Sequence, residues 1–198
     1  MDFTFYFVLA LVNLAWCREE VCFRDISNID TSCHPDYYWR DFKDRIPPDA
    51  IEGGMTASGT PIYVAQVYIY KIGLLPGMVF PNKPNAVTNA HGKKMESATD
   101  VKVLCSTNKN NFKWVPTKSE ELNLLTNTHL VVGGKEGVEL LYVGRALDDG
   151  STVLGKIFKH NFPYRGLWVP SQAREANYLH YEILTYVCPT NKVIVNPE

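Results

Sequence analysis

The chain has 198 residues, 45% hydrophobic and 12% aromatic, with 20 basic and 21 acidic side chains and a formal charge of −1. That is enough apolar material for one compact domain, or for two small halves sharing a core, and it excludes a low-complexity chain. The near-neutral balance argues against nucleic acid as a partner, because phosphate binding needs a clear basic excess.

Residues 1–17 read as a signal peptide. The apolar run from Phe3 to Ala15 is too short for a comfortable membrane span, and Arg18, Glu19 and Glu20 follow at once. Cleavage after Cys17 would put Ala15 and Cys17 at the small-residue positions that a signal peptidase prefers. The leading residues carry Asp2 and no Lys or Arg, so an uncleaved anchor or a buried N-terminal strand stays open. No other stretch is long and apolar enough to span a membrane, and the expected location is extracellular. Removal of Cys17 leaves Cys22, Cys33, Cys105 and Cys188. An even number in an oxidising compartment predicts two disulfides, with free buried thiols as the alternative. Cys22–Cys33 would close a short N-terminal loop. No Cys-x-x-Cys or His-x-x-x-His spacing suggests a zinc site, and no metal or other cofactor is expected.

Residues 18–37 form an irregular, cysteine-containing segment. Strand signals follow at Pro61–Tyr70, Val101–Leu104, His129–Val132, Leu140–Val143 and His180–Val187, all rich in β-branched and aromatic residues. Gly, Pro, Asn and Asp clusters such as Gly53-Gly54, Pro76-Gly77, Gly133-Gly134 and Asp148-Asp149-Gly150 bound them. No long stretch has helical period, and Ser119 to Leu125, lying between strand signals, is read as loop. The predicted fold class is all-β.

An internal repeat organises these signals. Gly53-Gly54 followed by Ile62-Tyr63-Val64-Ala65 recurs as Gly133-Gly134 followed by Leu141-Tyr142-Val143-Gly144. Leu75-Pro76-Gly77-Met78-Val79 recurs as Val153-Leu154-Gly155-Lys156-Ile157, and Val101-Lys102-Val103-Leu104 as Tyr181-Glu182-Ile183-Leu184. The openings Tyr38-Trp39-Arg40 and Lys113-Trp114-Val115 also agree. The copies are expected at residues 38–105 and 113–187, with a tail at 188–198. Cys105 and Cys188 follow the last strand of each copy, which motivates a Cys105–Cys188 disulfide.

The ordered set of Gly-Gly, Tyr142-Val143-Gly144-Arg145-Ala146, Gly155-Lys156-Ile157 and Tyr181-Glu182-Ile183-Leu184 resembles the DM9 repeat, common in insect and mollusc proteins and usually found in tandem. The resemblance covers roughly residues 38–187. It implies two pseudo-symmetric repeats of antiparallel strands packed into one compact domain. It also implies carbohydrate binding, since mollusc members act as mannose-recognising lectins in innate defence. An acid shortly after Gly-Gly and a lysine after Pro-Gly are the residues the resemblance points to.

The two copies differ at both places. Copy two keeps Lys156, with Glu136 as the nearest acid and Lys135 an equal claimant to the aligned position; the family arginine is Arg145. Copy one has Thr56, Met78 and Gln66 there, so it reads as degenerate. A carboxylate accepts from vicinal hydroxyls and a lysine or arginine donates to them, which is why these residue types suit a sugar. Plainer readings compete. Lys156 and Glu136 could be solvated turn residues, Arg145 could pair with Asp148 or Asp149, Met78 could fill the core, and Trp114 and Trp168 could be core rather than sugar platforms. His34, His91, His129, His160 and His180 are scattered and show no catalytic spacing, so no enzyme is expected. The expected function is secreted, lectin-like recognition of mannose-type glycans on microbial or host surfaces, in innate defence. The alternative is a protein-interaction or structural module with a degenerate sugar site. A homodimer fits either.

Overall fold

The computed structural model describes residues 35–126, 128–160 and 163–188. The expected signal peptide, Cys22, Cys33 and all but the first residue of the 188–198 tail lie outside them.

The first half of the described chain forms β1 (Tyr37–Asp41), β2 (Glu52–Met55), β3 (Pro61–Ile69), β4 (Gly73–Val79), β5 (Ala86–Ala90), β6 (Lys93–Ser97) and β7 (Val101–Ser106). The second half forms β8 (Phe112–Lys118), β9 (His129–Leu130), β10 (Val132–Glu136), β11 (Glu139–Asp148), β12 (Ser151–Phe158), β13 (Leu167–Ser171), β14 (Arg174–Tyr178) and β15 (His180–Tyr186). All pairings are antiparallel. The fold is all-β, as the β-branched and aromatic runs predict. Ser119–Leu124, expected as loop, is a 3-10 helix with Leu122 buried, and Lys109–Asn111 forms a second 3-10 turn. The expected strand His129–Val132 is split into β9, which pairs with β15, and β10, which pairs with β11 and β4.

The ladder pattern runs through the chain twice. Trp39 faces Leu104 in β1–β7, and Trp114 faces Leu184 in β8–β15. Ala65 faces Gly77 in β3–β4, and Gly144 faces Gly155 in β11–β12. Asn89 faces Lys94 in β5–β6, and Pro170 faces Glu175 in β13–β14. A register shift falls between Glu52 and Gly54 in β2 and between Val132 and Gly134 in β10. Each position of one half therefore has a definable counterpart in the other.

Two ladders join the halves. Lys135 and Glu136 of β10 pair with Leu74 and Gly73 of β4, and Arg174 of β14 pairs with Lys93 of β6. The ring β4–β5–β6–β14–β13–β12–β11–β10 is thereby closed into a barrel, which leaves none of its strands with a bare edge. The β4–β10 crossing requires glycine. A Cβ on Gly134 would lie 2.0 Å from the Leu74 carbonyl oxygen, and one on Gly73 would lie 2.2 Å from the Lys135 oxygen. That close approach is what brings the end of β10, and so Glu136, against the first half.

The main core is shared rather than doubled. Ile62, Val64 and Leu104 of the first half pack in one cluster with Val143, Leu154 and Ile183 of the second, all fully buried. Each such aliphatic side chain contributes about 1.5–3 kcal/mol of burial free energy. Separating the halves would expose this cluster, so neither half has a complete core of its own.

Candidate functional site

The site is best built outward from Lys156. In β12 it faces Val143 on one side and Trp168 on the other, which turns its side chain toward the interior. Only 3% of the residue is exposed. A buried ammonium is costly unless paired. Here Nζ donates to Glu136 Oε2 at 2.7 Å and lies 3.6 Å from Glu175 Oε1. The Phe158 ring centroid is 5.4 Å from the same nitrogen.

Glu175 is itself held from the other half. Asn89 Nδ2 donates to its Oε1 at 2.8 Å, and the Gly92 amide donates to its Oε2 at 2.6 Å. The Gly92 amide is presented by a two-residue turn. His91 and Gly92 have φ of 50° and 77°, the left-handed pair that a tight hairpin between Ala90 and Lys93 demands. The exposed His91 ring stands at the mouth, its Nε2 3.9 Å from Glu136 Oε1. The cluster thus holds one lysine, two carboxylates, a carboxamide and an imidazole drawn from both halves. Two of its buried polar atoms, Asn89 Oδ1 and Trp168 Nε1, have no hydrogen-bond partner. One is an acceptor and the other a donor, and both are shut off from the surface.

Of the residues expected from sequence, the structure brings Glu136 and Lys156 together. Lys135 is exposed on the opposite face of β10, so Glu136 is the acid that reaches the lysine. Thr56 is the first-half counterpart of Glu136, two residues after Gly54, and closes a surface turn through Ser58 and Thr60. Met78 and Gln66 are buried, and Met78 belongs to the shared core, as its plainer reading had it.

Arg145 does not join Lys156. Its Nε donates to Glu182 Oε2 at 2.6 Å, its Nη1 donates to the Gly53 carbonyl at 2.8 Å, and its guanidinium lies 4.4 Å from the Trp114 ring centroid. It lines a separate cleft of about 460 Å³ between β11 and the β8–β15 pair. Arg145, expected as a candidate sugar-binding residue, is instead held in an ion pair, as its plainer reading had it, but with Glu182 rather than Asp148 or Asp149. Asp148 is occupied by Ser171 Oγ at 2.8 Å and Tyr178 Oη at 2.9 Å, while the β11–β15 register sets Glu182 directly opposite Arg145.

The Cys105–Cys188 disulfide is also corrected. Cys105 is a free, fully buried thiol, and burial pushes its pKa up to about 11. It lies in the first-half core beside Ala50, whereas Cys188 packs against the main cluster and is disulfide-bonded elsewhere. Equivalent strand ends in a pseudo-two-fold fold occupy equivalent places, which need not be adjacent ones. The Cys22–Cys33 pairing lies outside the described residues. Among the described residues, no three His, Cys, Asp or Glu side chains are grouped to hold a metal ion, and no helix is long and apolar enough to cross a membrane.

Glu175, Asn89 and His91 were not legible as site residues. Glu175 is one glutamate in an alternating hairpin, and His91 is one of five scattered histidines. The signal that could have found Glu175 is the repeat itself, since a charged residue, Lys94, stands at its counterpart.

Comparison with known proteins places this arrangement. The DM9 repeat matches residues 68–178, more than half of the chain. The chain belongs to the DM9 repeat family. The matched stretch of this DM9 protein contains Asn89, Glu136, Lys156 and Glu175. Curated protein sequences give no significant match. Among solved structures, it is similar to the crystal structure of the nematode sperm cell motility protein MFP2B, with a TM-score of 0.49 and 12% identity. That similarity covers 78% of this chain and 46% of the other, so the DM9 protein spans less than half of that chain's length.

Proposed function

We propose that this DM9 protein is a secreted carbohydrate-binding protein that takes mannose-type glycans at the Lys156 cluster, in innate recognition of microbial or host surfaces. The observation that carries the reading is the meeting of Glu136 and Lys156 at 2.7 Å, with Glu175 and Asn89 behind them. Vicinal hydroxyls donate to the Glu136 carboxylate, the more accessible member, with its side chain 18% exposed. Two carboxylates against one ammonium leave the cluster an excess negative charge, which suits a ligand that donates hydrogen bonds. Secretion is supported by the apolar run from Phe3 to Ala15 and the polar residues after it.

The test is retention of the mature chain on mannose-agarose, followed by a glycan array. The expected outcome is specific retention, weakened about tenfold or more in Glu136→Gln, which equals about 1.4 kcal/mol. Glu136→Gln keeps the side-chain shape, and its melting curve shows whether the fold is intact. An absence of retention, or retention unchanged in a folded Glu136→Gln protein, overturns the reading.

A further inference from the structure

The counterpart of the Lys156 cluster in the first half is a cavity of about 320 Å³. We infer that it is a second binding site of inverted chemistry, a pocket for a small amphipathic carboxylate. The apolar body of that ligand lies on Met78 and its carboxylate between Lys83 and Lys94. The inference rests on the register and does not depend on the sugar reading.

Each position of the pocket can be set against its counterpart. Met78 faces Val87 in β4–β5, as Lys156 faces Trp168 in β12–β13. A thioether therefore ends where the other half places an ammonium. Valine in place of tryptophan removes an indole and leaves room, which accounts for an open cavity at this corner. Across the boundary between the halves, Pro170 stands where the other cluster has Asn89, and Lys94 stands where it has Glu175. The floor thus has neither the lysine nor the carboxamide nor the indole of the other cluster. The mouth has exchanged an anion for a cation.

The remaining residues agree with this polarity. Met78 and Val87 are buried, and Phe80 continues the apolar wall. Lys83 lays its ammonium 5.0 Å from the Phe80 ring centroid, at the edge of the cavity. Lys94 Nζ lies 2.9 Å from Glu96 Oε1. Glu96 is held below the usual carboxylate range by Lys94 first, with Asn85 and Lys83 adding to it, so the field of both lysines reaches one spot. Two cations against one anion leave a net positive mouth over an apolar floor. An apolar pocket with a few polar groups at one end takes a ligand of the same division. The cavity volume lies at the small end of ligand pockets, about 300–1,000 Å³, and suits a ligand of octanoate's size. Methionine suits such a floor, because its flexible thioether adapts to irregular apolar shapes.

The experiment uses the mature chain with octanoate as the probe, with octanol and octylammonium as matched controls, and methyl-13C methionine as the reporter. Octanoate is expected to shift the Met78 methyl resonance saturably while leaving Met55 unmoved, and to bind at least tenfold tighter than either control. Lys83→Ala with Lys94→Ala removes two exposed charges and is expected to weaken octanoate at least tenfold without changing the melting curve. Glu136→Gln is expected to leave octanoate binding intact, which separates this site from the proposed sugar site. Failure of octanoate to move Met78, equal binding of octanol, or full affinity in the double lysine variant overturns the inference.

Discussion

Two corners of one barrel, related by the same ladder pattern, have been filled in opposite ways. Around Lys156 the interior is ionic and closed, with the ammonium held by Glu136 and Glu175. Around Met78 it is apolar and open, with the charges moved out to Lys83, Lys94 and Glu96. The backbone register is equivalent in both. A fold of this kind therefore fixes where side chains meet, and a few substitutions decide whether the meeting point is a polar cluster or a hydrophobic pocket. A buried lysine needs carboxylates beside it; where Met78 stands in its place, Thr56 and Lys94 stand at the two acidic positions.

The strongest test of that coupling exchanges the central residue. Lys156→Met gives the second corner the side chain of the first but leaves Glu136 and Glu175 without their cation. Breaking a buried pair from one side costs about 3–5 kcal/mol. The expected outcome is a loss of about that size in the unfolding free energy from urea denaturation, partly recovered when Glu136→Thr is added. A lone Lys156→Met that unfolds at the parent midpoint would show that the cluster is more hydrated than its burial indicates, and would break the comparison.

A smaller effect is expected where Arg145 stands in one half and Gln66 in the other. Arg145 joins β11 to β15 through Glu182 and to β2 through the Gly53 carbonyl, and it rests on Trp114. Its side chain is 24% exposed and that of Glu182 37% exposed, so solvent screens part of the pairing. Arg145→Gln, which copies the first half, is expected to cost about 1–2 kcal/mol by thermal denaturation. A cost below about 0.5 kcal/mol would place the clamp among ordinary surface ion pairs.

The smallest effect concerns acid. Asp49 and His129 open the matching β2 and β10 approaches, where the Ile51 and Val131 amides donate to the Leu104 and Leu184 carbonyls. Hydrogen bonding from Tyr38, with help from Arg40, holds the Asp49 carboxyl below its usual value of 3.8. Burial holds His129 below its usual 6.5. In both cases the unfolded chain binds the proton more readily, so stability falls as pH falls. The His129 contribution is complete above about pH 6.5 and is lost as pH drops toward its lower folded value. The Asp49 contribution is lost only below about pH 3.8. Urea midpoints measured from pH 8 to pH 3 are expected to decline in two stages, the lower shared by Asp49, Asp36 and Glu96, whose carboxyls are all held below their usual values. His129→Gln should remove the upper step and leave the lower one. An upper step that survives in His129→Gln would assign it to another group.

How much of this was legible in the sequence depended on how local each feature is. β-branched and aromatic runs bounded by glycine and proline located β3, β7 and β15 to within a few residues, because strand formation is local, but caught only the first half of β11. Shorter, more polar strands such as β6 and β14 carried no such signal and owe their conformation to their partners. The DM9 resemblance pointed to Lys156 and to Glu136 or Lys135 through the short motifs Gly133-Gly134 and Leu154-Gly155. The choice between Lys135 and Glu136 needed the β10–β11 register, because neighbouring strand residues point to opposite faces.

By itself, then, the sequence determined an all-β chain of recurring strands and singled out Glu136, Lys156, Met78 and Thr56 as the residues in which the copies differ. Only the tertiary structure decided what surrounds them. It placed Asn89, His91 and Glu175 around Lys156, assigned Arg145 to Glu182, kept Cys105 apart from Cys188, and opened the pocket at Met78. The physical reason is that alternation along a strand states which face a residue takes, whereas its partner across that face comes from another hairpin. That partner is set by barrel closure through the β4–β10 and β6–β14 ladders, a long-range event with no local trace in the chain.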